Sequence, residues 1–133
     1  MPLTKEVAER FMAEWYQLVD NHGPVTDLMK RTVGEGFVAR FPEGDVDYTG
    51  YAQWYIEDIR SFFDGEHAIR ELQTEMGDNE VKVLAIIDWS GRSWQPPEPH
   101  SRLKEVACNI LFTLEYDEET GRPLLRAYEV SLR

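Results

Sequence analysis

Cysteine is almost missing from this chain: Cys108 stands alone. One thiol cannot close an internal disulfide, so a reducing cytoplasm is the expected location. Positive charge is also scarce, with 14 Lys and Arg against 25 Asp and Glu and a net charge of −11. Such a surface repels a phosphate backbone, and no Lys/Arg cluster provides a local exception, so nucleic acid is not an expected partner. Anionic membranes are disfavoured on the same ground. Long apolar runs are missing too. The longest, Val83 to Ile87, falls far short of the roughly 20 residues of a spanning helix. The opening Met1-Pro-Leu-Thr-Lys-Glu-Val lacks the basic start and apolar middle of a signal peptide. His22, His67 and His100 are scattered, with no HxH, HExxH or CxxC spacing, so no metal site is expected. Neither GxGxxG nor GxxxxGK[ST] occurs, and no cofactor is expected. Small molecules and other protein chains remain as partners.

What is present suits a globular fold. The 133 residues, 42% of them hydrophobic and 12% aromatic, can build a real core and are expected to form one domain spanning 1–133. Thr4 can cap a helix whose apolar positions Val7, Phe11, Trp15, Leu18 and Val19 recur at helical spacing. Asn21-His22-Gly23-Pro24 ends it and starts a short second helix that stops at Gly34. Phe37 to Phe41 reads as a short strand, and Pro42-Glu-Gly-Asp45 as a turn. Thr49 is the expected cap of a third helix, closed by Asp64-Gly65. The period then changes from 3.6 to 2, predicting strands over about 66–76, 80–94, 101–116 and 123–132. Strands this long must twist, and Gly91 is a plausible bulge. The prediction is an α+β fold of order α-α-β-α-β-β-β-β, a curled antiparallel sheet with three helices over its concave side. Pro96-Pro-Glu-Pro99 reads as a stiff hairpin end, and Asp117-Glu-Glu119 as a solvated acidic loop.

Alternation sorts the two longest strands into faces. Val81, Val83, Ala85, Ile87 and Trp89 share one face, and Val106, Cys108, Ile110, Phe112, Leu114 and Tyr116 share the matching one. These uniformly nonpolar or aromatic rows are expected under the helices. Asp88 then lies on the outer face, where a carboxylate costs little; an unpaired buried one would cost several kcal/mol or take up a proton. A bulge before Asp88 would reverse the assignment. Leu84, Ile86, Ala107 and Leu111 would form an outer apolar patch rimmed by Asp88, Arg92, Asn109 and Glu115, which points to a homodimer through that face, with Asp88 and Arg92 as cross-interface pairs.

The order of elements, with Leu18-Val-Asp-Asn-His-Gly23, Phe41-Pro42, Tyr48-Thr-Gly-Tyr-Ala-Gln-Trp54, His67-Ala-Ile-Arg-Glu-Leu72, Gly77-Asp-Asn-Glu-Val81 and Asp88-Trp89, resembles the NTF2-like superfamily and its SnoaL-like branch over essentially the whole chain. The resemblance implies a cone-shaped, cystatin-like roll with a pocket at its open end, commonly dimeric through the outer sheet face. Members include polyketide cyclases, ketosteroid isomerases, dehydratases and proteins that only bind partners, so fold does not fix function. Against the ketosteroid isomerases, Tyr16 has the family's spacing, seven residues before Gly23. Phe41 stands where the general-base aspartate precedes the proline, and Ile110 or Phe112 where the second acid would fall. Steroid isomerisation by that machinery is not expected.

The polar candidates for a pocket inside the cone are Tyr16, His67, Cys108 and Tyr128. His67 is either a general acid/base or simply a histidine at a strand start. Tyr16 and Tyr128 are either donors to an oxyanion or core aromatics with satisfied hydroxyls. Cys108, in a wholly apolar row, reads as a small hydrophobe against the ligand. Trp15, Phe37, Phe41, Trp54 and Trp89 are the expected apolar walls. Two functions follow: a binding domain for an apolar organic ligand, or a cofactor-free cyclase, isomerase or dehydratase in which His67 moves the proton.

Overall fold

The computed structural model describes residues 3–95 and 97–133. It opens with α1 (Lys5–Asp20) and α2 (Val25–Met29), then β1 (Val38–Phe41), β2 (Gly44–Val46) and α3 (Tyr48–Ser61). Four long strands follow: β3 (Phe63–Met76), β4 (Glu80–Ser93), β5 (Arg102–Asp117) and β6 (Arg122–Leu132). The Thr4 side chain accepts the Val7 N–H at 3.2 Å and so starts α1. Ala8, Phe11, Met12, Trp15, Tyr16 and Val19 form the buried stripe of that helix. After the helix the chain turns through His22 at φ 52°, and Gly23 donates its N–H to the Leu18 carbonyl at 2.8 Å.

Six strands form one curved, unclosed sheet in the order β2-β1-β6-β5-β4-β3. The β1–β6 pair is parallel and every other pair antiparallel. The Pro42 turn folds β2 back onto β1, an extra short strand beyond the predicted set. Asp47, rather than Thr49, caps α3: its Oδ1 accepts the Gly50 N–H at 2.9 Å, so Tyr48 and Thr49 are already helical. The helix stops at Ser61, and β3 starts at Phe63, before the expected Asp64-Gly65 break. Of the expected Pro96–Pro99 hairpin end, Pro96 lies outside the described residues.

The predicted register holds. Val81, Val83, Ala85 and Ile87 are buried and pair with Leu114, Phe112, Ile110 and Cys108, also buried. Asp88 lies on the opposite face, partly exposed, with its Oδ2 3.2 Å from Arg70 Nη1. That ion pair is within the chain, and Arg92 Nη1 donates to Ser101 Oγ at 3.5 Å. Gly91 is not a bulge in β4, whose ladder with β5 runs unbroken from Glu80 to Ser93. The irregularities lie in the neighbours instead: in β3 between Phe63 and Glu66 and between Ile69 and Glu71, and in β6 opposite Thr113 and Leu114. Glycine at 91 answers a different need. A Cβ there would sit 2.7 Å from Cζ2 of Trp89, whose ring folds back over it.

Candidate functional site

Between α1, α3 and the inner sheet face the packing leaves a cavity of about 320 Å³. Its walls are aromatic because three stripes converge there. From α1 come Trp15 and Tyr16; from α3, Tyr51 and Trp54, with Phe62 just beyond; from the strands, Phe41, Trp89 and Tyr128. Phe41 and Tyr51 lie nearly parallel, 3° apart at 6.1 Å, while other rings meet edge-on or tilted. Trp15 meets Phe112 edge-on at 5.8 Å, Phe62 meets Trp89 at 90° and 5.1 Å, and Phe41 lies 4.9 Å from Trp54.

Of the residues expected here, Tyr16, His67, Tyr128, Trp15, Phe41, Trp54, Trp89 and Cys108 all border the cavity. Phe37 does not. It is buried behind the wall, edge-on to Tyr51 at 5.6 Å, because position 37 precedes β1 and packs under α3. Burial pushes the Cys108 thiol up, with a smaller push from the Asp88 charge, so the thiol stays protonated.

His67 is held by a residue the strand pattern did not reveal. Asp20, the last residue of α1, accepts the His67 backbone N–H through Oδ2 at 2.9 Å. Its Oδ1 lies 2.6 Å from the ring Nδ1. A carboxylate only accepts, so this contact assigns the proton to Nδ1 and leaves Nε2 as the nitrogen available to a ligand. The imidazole also stacks on Tyr16, with centroids 4.4 Å apart and planes at 24°. One side chain thus fixes the backbone at position 67, the ring orientation and the tautomer together.

Beside this dyad the Tyr16 hydroxyl donates to the Tyr128 oxygen at 3.5 Å. Burial raises the pKa of both phenols, and the mutual contact raises that of Tyr16 further while lowering that of Tyr128. Both are therefore neutral donors at ordinary pH, unsuited to act as bases. The Trp15 indole interacts with the Tyr51 phenol, yet among the described buried side-chain nitrogens and oxygens Trp15 Nε1 alone completes no hydrogen bond.

Asp58 is the second residue that alternation missed. It stands on α3, four residues after Trp54 and seven after Tyr51, and so on the cavity-facing stripe. Burial pushes its carboxyl above the ordinary range, and the neighbouring His67, His22 and Lys104 offset this in part. Among the described residues its side chain has no hydrogen-bond or ion-pair partner, and no cluster of three or more His, Cys, Asp or Glu is placed to hold a metal. No helix among those residues is long and apolar enough to cross a membrane.

No family model and no curated protein matches the sequence. Solved structures do. A candidate scytalone dehydratase from Novosphingobium aromaticivorans superposes with a TM-score of 0.81 at 13% identity, covering 96% of this chain and 83% of that one. A candidate dehydratase of the NTF2-like family from Streptomyces avermitilis gives 0.81 at 8%, over 96% and 95%. A protein of unknown function with a cystatin-like fold from Nostoc punctiforme gives 0.74 at 10%, over 100% and 96%. At such identities the likeness carries architecture and not activity. The chain has the cystatin-like fold of the NTF2-like proteins.

Proposed function

We propose that this chain binds a flat, mostly apolar organic molecule in the aromatic cavity and that His67 exchanges a proton with it. The observation that carries this reading is the imidazole clasped through both ring and backbone by Asp20 at the wall of a cavity of about 320 Å³. That volume lies within the range of small-molecule sites, roughly 300–1,000 Å³. A histidine with its Nδ1 proton fixed presents Nε2 as a base, then returns the proton as an acid. Tyr16 or Tyr128, kept neutral by burial, would donate to the oxygen of an enolate-like intermediate. This chemistry suits a cofactor-independent isomerase, cyclase or dehydratase, and two of the structural relatives are described as candidate dehydratases. Binding without catalysis is the second reading, favoured by the two phenols, which already satisfy one another.

A thermal-shift screen of aromatic and polyketide-like compounds against the wild type and His67→Ala tests the reading. Compounds with a carbonyl or hydroxyl are expected to stabilise the wild type more than the variant. If no compound raises the wild-type melting temperature, the cavity is not a ligand site. Equal stabilisation of both proteins removes the role of His67.

We also infer a homodimer through the outer sheet face, where Leu84 is 45% exposed beside Ile86, Ala107 and Leu111. Leu84→Asp should leave a monomer in size-exclusion chromatography with light scattering. A monomeric wild type overturns the inference. The lone, buried Cys108 supports a reducing, cytoplasmic setting.

A further inference from the structure

One charge in the cavity is left unexplained by this function. Asp58 is half-buried on α3, four residues after Trp54 and seven after Tyr51, with Phe62 just past the helix end on the same cavity wall. Its carboxyl bonds to no described residue, although burying a charge without a partner is costly. His67, His22 and Lys104 offset the cost only in part, which leaves the charge to be matched from outside.

The surroundings specify what would match it. Aromatic faces carry negative quadrupoles and attract cations, and here Trp54, Phe62 and Tyr51 line the same cavity as the Asp58 carboxyl. Glu43 adds another carboxylate to the cavity wall. The chain itself shows the preference: the Lys104 ammonium lies 5.8 Å over the Phe62 ring, on the same cavity wall. Lys104 reaches the aromatic mouth without forming an ion pair with Asp58.

We propose that the cavity ligand is a flat organic cation, its positive nitrogen held between the Asp58 carboxylate and the faces of Trp54 and Phe62, with Lys104 as a tethered competitor for the same mouth. The proposal rests on the reading of the cavity as a ligand site and names the class of ligand.

The test compares N-methylquinolinium with its uncharged isostere 1-methylnaphthalene, following the tryptophan indole N–H signals by NMR. Trp15, Trp54 and Trp89 border the cavity, whereas Trp94 is outside it, bonded to the Glu98 carbonyl at 2.6 Å, and serves as the control. In the wild type the cation should bind about tenfold tighter than the hydrocarbon, the scale of one cation–aromatic contact with a carboxylate behind it. Asp58→Asn should abolish that preference and leave hydrocarbon binding unchanged. Lys104→Met, which leaves the cavity acid in place, should tighten cation binding. A wild type that binds both compounds equally, or an Asp58→Asn variant that keeps the preference, overturns the proposal while leaving the cavity as a ligand site. If neither compound moves the cavity tryptophans, both readings fall.

Discussion

Removing the Asp20 carboxylate should loosen the fold and the site together. Asp20→Ala deletes two acceptors at once, stranding the His67 backbone N–H and the ring Nδ1–H, both partly buried. Leaving buried donors unsatisfied costs about 1–3 kcal/mol, and partial solvent access to the imidazole and carboxylate, 16% and 22% exposed, argues for the middle of that range, about 2 kcal/mol. Unfolding entropy of about 2.1 cal/mol/K per residue amounts to roughly 0.28 kcal/mol/K for a chain of this length, so the melting temperature should fall by about 7 °C. Asp20→Asn keeps one carbonyl oxygen and should lose about half as much. Calorimetry gives the shift, and 15N shifts of the His67 ring give the tautomer, which should change from Nδ1–H alone to a mixture. A melting temperature within about 1 °C of wild type, with the tautomer intact, would refute the clasp.

Gly91→Ala places a methyl 2.7 Å from the Trp89 ring; displacing that ring should cost about 1–3 kcal/mol and change Trp89 fluorescence, whereas an unperturbed spectrum would show that the ring is not seated there. Asp58→Asn should stabilise the protein at neutral pH. The wild-type carboxyl binds its proton more tightly folded than unfolded, so this destabilisation is full above the folded value and fades as pH falls below the ordinary carboxylate range. Paired melts from pH 7 down to about 4 should converge; a gap that widens on acidification contradicts the sign. Above about pH 10, unfolded tyrosines ionise while Tyr16 and Tyr128 hold their protons. Alkaline unfolding should therefore be shallower in Tyr16→Phe, and an identical slope would argue against burial of that phenol.

Alternation alone placed the long strands and their inner rows, because a hydrocarbon face repeated at period two has only one side on which it can be buried. Asp88 stayed outside for that reason. Bulges were less legible. Gly91 looked like one, but its missing side chain makes room for Trp89; the extra residues lie in β3, opposite Gly91 between Phe63 and Glu66 and, opposite Ile86 and Ile87, at Arg70, an ordinary residue. The cap of α3 was misplaced by two residues because Asp47 and Thr49 are both good caps, and only the turn from β2 decides between them. The site was half legible. His67, Tyr16 and Tyr128 follow from the fold's order, whereas Asp20 and Asp58 enter from helices, where the search for inward acids on strands could not find them. A helical reading was available: Asp20 lies four residues after Tyr16, and Asp58 four after Trp54.

The central claim is that a clasped histidine faces an aromatic cavity that accepts a ligand. A 15N NMR titration with 2-naphthol, a flat hydrocarbon body with one hydroxyl, measures it most directly. The account predicts saturable shifts of His67 Nε2 and of the Trp15, Trp54 and Trp89 indoles, with Trp94 unmoved. Shifts confined to Trp94 or the outer sheet face, with His67 silent, would contradict it.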